Sequence, residues 1–147
     1  MAEAAPPSRV ALAYRVHWHV VFTHFPLSSF LAASLFMLLH VITDNNCYEL
    51  ASAICLELGV AAMPFTLLSG WLTWKKRFKG AATKTFLYKV WIGFAMLALS
   101  ALLLFWRLAV VDPYADVAWH VAFAAGVFLL LLGAGAEGYY GGRLNHH

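Results

Sequence analysis

Four uninterrupted apolar stretches, at about residues 20–42, 50–74, 86–111 and 117–140, take up most of this 147-residue chain. Each exceeds the ~20 residues a helix needs to cross ~30 Å of hydrocarbon. Backbone polar groups inside a bilayer are satisfied only within helices or closed barrels. Barrel strands are near ten residues long and alternate in polarity, a pattern these stretches lack. The sequence therefore predicts an all-α integral membrane protein. Its 63% hydrophobic and 12% charged residues lie outside the range of ordinary globular domains. The linkers are short, so consecutive helices should pack antiparallel in an up-down-up-down four-helix bundle. The bundle is expected over 17–144, with a short tail at 1–16 and another at 145–147. The first tail is Ala- and Pro-rich and lacks the basic-then-apolar order of a signal peptide.

Basic residues fall on one side of this topology. Arg9 and Arg15 precede the first span, Lys75, Lys76, Arg77, Lys79, Lys84 and Lys89 flank the second loop, and Arg143 follows the fourth span. Arg107 is the exception. Asp44, Glu49, Asp112 and Asp116 mark the opposite side. The positive-inside rule then puts both termini in the cytoplasm. This asymmetry explains the formal net charge of +3 without any nucleic-acid partner.

Pro26 can bend the first turns of span 1, and Pro64 is expected to kink span 2. Span 4 carries Gly126, Gly133, Gly135 and Gly138. Such small residues allow close helix approach or leave room for a flat cofactor. Cys47 and Cys55 are too few for a disulfide framework and read as free thiols.

The chemistry-bearing residues are mainly histidines, seven in all. Imidazoles within spans mark cofactors, proton paths or ligands. One layer holds His17, His19 and His24 at the cytoplasmic mouth of span 1. His17 and His24 are nearly eclipsed, about 20° apart on an ideal helix, and His19 points about 140° away from His24. His17 and His19 flank Trp18 and read either as interfacial residues or as ligands. His24 lies deepest of the three. His146 and His147 end the chain and carry little weight.

A second layer pairs His40, near the end of span 1, with His120, near the start of span 4. Two histidines on different helices at matched depth can hold a haem iron from both faces. Glu57, in the same half of span 2, could orient an imidazole or pass a proton. The competing reading is that all three reach the interface or bond to backbone. His24 and His40 are about 160° apart around the helix and about 24 Å apart along it, so a straight helix cannot turn both to one seam.

Three motifs carry a resemblance. His19-Val20-Val21-Phe22-Thr23-His24-Phe25-Pro26 has the form H-x4-H-F-P, Ser69 to Trp74 resembles a small-Gly-x-x-Asp-Trp ending, and Gly138 to Leu144 resembles a G-W-L-G-G-x-L ending. Together, in order and spacing, they resemble a family of small bacterial four-span membrane proteins of unknown function, regarded as haem- or redox-associated. Thr73 replaces the acidic residue before the tryptophan, and Tyr88 or Lys89 replaces a histidine at the start of span 3. The resemblance implies a bacterial inner-membrane location, a c-type cytochrome as neighbour, and a site near His19 and His24.

These readings combine into one expectation: a b-type cytochrome-like subunit with one or two haem b groups. His24, His40 and His120 would ligate iron. Lys89, Arg15 and Arg143 would pair with haem propionates. A quinone is a further cofactor compatible with that role. The alternatives are a scaffold or anchor in a larger membrane complex, and a small proton or ion transporter using Glu57.

Overall fold

A computed structural model describes residues 18–77, 79, 84–109 and 117–145. They form four helices: α1 (Trp18–Thr43), α2 (Asn46–Arg77), α3 (Lys84–Ala109) and α4 (Val117–Asn145). Each is long and apolar enough to cross a membrane. The expected all-α four-helix membrane bundle is what the chain forms. Arg15, His17, His146 and His147 lie outside the described residues. His19 sits in the first turn of α1 and Arg143 in the last of α4, with side chains likewise outside the description.

The helices form a ring in which α1 packs on α2 and α4, and α3 packs on the same two. Large apolar side chains such as Leu31, Leu35, Trp91, Phe105 and Leu132 cover the outside. An exposed apolar surface of that extent belongs against lipid.

The inward face of each helix follows a four-then-three spacing, the heptad rhythm of left-handed bundles. On α1 it runs Pro26, Phe30, Ala33, Met37, His40; on α3, Gly93, Met96, Ser100, Leu103. On α4 the same rhythm runs through Phe123, Val127 and Leu130, and on α2 through Glu49, Ser52, Leu56 and Met63. Serines tie the helices across this seam. Ser52 donates to the Ala33 carbonyl at 2.8 Å, and Ser34 to that of Val127 at 3.2 Å.

Both prolines stand inside continuous helices. Pro26 has no N–H for the carbonyl of Phe22, four residues back. Thr66 of α2 supplies the missing donor, its hydroxyl 2.7 Å from that carbonyl. A neighbouring helix thus satisfies the backbone group that proline leaves open in the apolar layer.

The glycines of α4 divide into two sets. A Cβ on Gly126 would meet Leu103 at 2.5 Å, and one on Gly133 would meet Met96 at 2.9 Å, so both mark close approach of α3. A Cβ on Gly135 or Gly138 would meet nothing within 4 Å.

Candidate functional site

The turn between α1 and α2 builds the first half of the site. Asp44 adopts a left-handed conformation (φ 52°), and its N–H returns to the His40 carbonyl at 2.8 Å, closing α1. The Asn45 side chain then caps α2 by accepting from the Cys47 N–H at 2.9 Å. The Asn45 carbonyl accepts from His40 Nδ1 at 3.0 Å. One residue therefore starts the second helix and fixes the ring on the first.

His40 is the last inward residue of the α1 seam and only 4% exposed. Its Nε2 lies 3.0 Å from Nε2 of His120, three residues into α4, with ring planes 70° apart. The two histidines expected at matched depth are in direct contact. Because Nδ1 of His40 must donate to a carbonyl, Nε2 of neutral His40 accepts, and His120 donates from its own Nε2.

Glu49, 1% exposed, grips Arg107 at the same end of the bundle. Arg107 Nε lies 2.7 Å from one carboxylate oxygen and Nη2 3.1 Å from the other, a two-pronged pair joining α2 to α3. The histidine pair joins α1 to α4 at that level, so polar contacts link two seams of the ring at one end. Charge partition marked Glu49 and Arg107 only as topology residues; their seam spacing was the signal that they face inward.

The other expected site residues fall elsewhere. Glu57 turns away from the seam: it follows Leu56, is turned about 100° from it, and is exposed on α2. His24 precedes the seam residue Pro26 by two positions and is also exposed. It lines a shallow groove with Ser28, Leu131, Ala134 and Gly135 between α1 and α4. Lys89 is not near the histidine pair. It stands 18 residues before Arg107 on α3, about 27 Å along the helix, and its Nζ lies 3.3 Å from Glu137 of α4. Propionates of a haem at His40 and His120 are beyond its reach. Glu137, a carboxylate on the α4 seam that sequence reasoning passed over, is the part-buried acid at that end. Cys47 and Cys55 are unpaired.

An imidazole nitrogen sits ~2 Å from a first-row metal, so two axial ligands stand ~4 Å apart. The donor chemistry of the pair fits haem: two Nε2 atoms converge from separate helices, and one ring is fixed through an Nδ1–H···O=C bond, the usual outer support of a ligating histidine. The 3.0 Å spacing is that of the hydrogen-bonded pair. Holding a haem there would require α1 and α4 to part by ~1 Å at the nitrogens and by more around them, to admit the macrocycle.

No known protein family, curated protein or solved structure matches the chain.

Proposed function

We propose that this membrane protein is a b-type cytochrome-like electron-carrying subunit, in which His40 and His120 would hold a haem. One observation carries the reading: the buried imidazole of His40 and the part-buried imidazole of His120, 80 positions apart in sequence, present Nε2 to Nε2 at one depth. When bound, haem supplies one-electron chemistry, with its potential tuned by ligands and surroundings. The chain's part is orientation and exclusion of water. The Asn45 carbonyl holds the His40 tautomer whose Nε2 lone pair faces His120. The Glu49–Arg107 pair ties α2 to α3 beside it.

A reduced-minus-oxidised difference spectrum of protein purified from haem-supplemented cells tests this. An α band that is lost in His40→Ala and His120→Ala and kept in His24→Ala supports the assignment. A wild-type protein without Soret or α band overturns it.

A second reading, a scaffold subunit of a larger membrane complex, is favoured by Glu57 and His24. Both lie within apolar spans yet face outward, and such groups in hydrocarbon seek partners. Native-gel mobility of the protein extracted in mild detergent separates the two readings. Migration as a haem-loaded single chain speaks against a pure scaffold.

A further inference from the structure

Opposite the histidine pair, the bundle encloses a cavity of about 590 Å³, within the size range of small-molecule sites. Its mouth lies between α2 and α3, where Leu68, Trp71, Leu87 and Phe94 are exposed to the lipid side. A ligand would enter from hydrocarbon, and the wall it meets is almost wholly apolar. Trp74 and Phe86 stack beside it, ring centroids 5.0 Å apart and planes 8° from parallel.

The polar end is the Lys89–Glu137 pair. One carboxylate oxygen of Glu137 pairs with Lys89; the other, Oε1, is buried with no hydrogen-bond partner among the described residues. A buried carboxylate oxygen left unsatisfied is costly and uncommon. Gly93 keeps the approach open: a Cβ there would lie 3.7 Å from Oε1 and 3.1 Å from Leu67.

We infer that this cavity binds a lipid-soluble hydroquinone, whose ring lies among Trp71, Trp74 and Phe86 and whose hydroxyl donates to Glu137 Oε1. The observations narrow the class in three steps. A mouth on the lipid side selects an apolar molecule. An acceptor with no donor selects a hydroxyl-bearing head and disfavours an anionic phospholipid headgroup, which the carboxylate repels. Aromatic walls select a flat ring. The oxidised form has no hydroxyl to donate to Glu137 Oε1 and finds a donor only in Lys89, so it binds the same place more weakly. The site is about five helical turns from His40 and His120, and the inference does not rest on the haem reading.

The test is titration of ubiquinol-2 and ubiquinone-2 into the full-length protein in phosphatidylcholine nanodiscs, read by tryptophan fluorescence. Saturable binding is expected, at least tenfold tighter for the quinol. Glu137→Gln should erase most of that preference, and Gly93→Leu should abolish saturation. Leu132→Ala, on the lipid-facing side of α4 and away from the cavity, should leave both affinities unchanged. Trp71→Leu, at the lipid-side mouth, should weaken binding even if Gly93→Leu proves poorly folded. Linear, variant-independent quenching overturns the site. Equal affinity for both redox forms, insensitive to Glu137→Gln, overturns the hydroxyl assignment. Equal competition by geranylgeraniol, an isoprenoid alcohol without a ring, overturns the ring assignment.

Discussion

Glu49 and Arg107, 58 positions apart in sequence, hold α2 to α3 through two parallel bonds of 2.7 and 3.1 Å. With one partner removed, the other remains as an uncompensated charge at a buried position, at a cost on the order of 3 kcal/mol. Arg107→Met should therefore lower the thermal midpoint of the protein in detergent sharply. Adding Glu49→Leu should recover most of the loss, because the apolar pair leaves no charge behind. A double variant as unstable as the single one would show that the pair is not the source of the effect.

The histidine pair makes a prediction about proton positions. His40 donates from Nδ1 to Asn45, so in the neutral pair its Nε2 is bare and the shared proton sits on Nε2 of His120. Nitrogen-15 spectra of histidine-labelled protein at pH 8 should show, among the seven histidines, one coupled pair made of an Nδ1–H and an Nε2–H tautomer. Replacement of His120 by Ala should remove the coupling and leave the His40 tautomer in place, since the Asn45 carbonyl fixes it.

Glycines on two helices should respond in opposite ways. Gly59 of α2 is buried against Phe30, and a Cβ there would collide with the ring. Gly59→Ala should cost about 1–3 kcal/mol through overpacking. Gly138→Ala adds a methyl that meets nothing within 4 Å, and it relieves the helix of a glycine. It should be neutral or slightly stabilising. Thermal melts of both variants in one detergent decide the comparison.

Glu57 faces outward in the apolar span of α2. A carboxylate in that setting costs on the order of 2–3 kcal/mol. Glu57→Leu should raise the thermal midpoint of the isolated chain in nanodiscs. An unchanged or lower midpoint would mean that the carboxylate has a polar environment the single chain already supplies.

The sequence alone determined that there are four spans, where each lies within a few residues, and that they alternate in direction. Hydropathy over twenty residues is a local property, and in hydrocarbon it decides between a spanning helix and no structure at all. It also showed that His24 and His40 could not share a seam, since sixteen residues on a straight helix separate them by nearly half a turn. The matched depths of His40 and His120 were likewise legible, because depth follows from position along a span. Only the tertiary structure decided which way each polar group turned. In a soluble helix a polar face marks the outside; here both faces are apolar, and the seam is hidden. Three cases show the consequence. His24 and Glu57 were open between a site and an interfacial role in the sequence, and both face outward. Glu137 drew no notice and is the part-buried acid beside Lys89. Arg107, an exception to the charge pattern, is clamped on Glu49. The four-then-three spacing from Gly93 to Leu103 continues to Lys89 at one end and Arg107 at the other, but identifying it as the inward face required the neighbouring helices against which those residues pack.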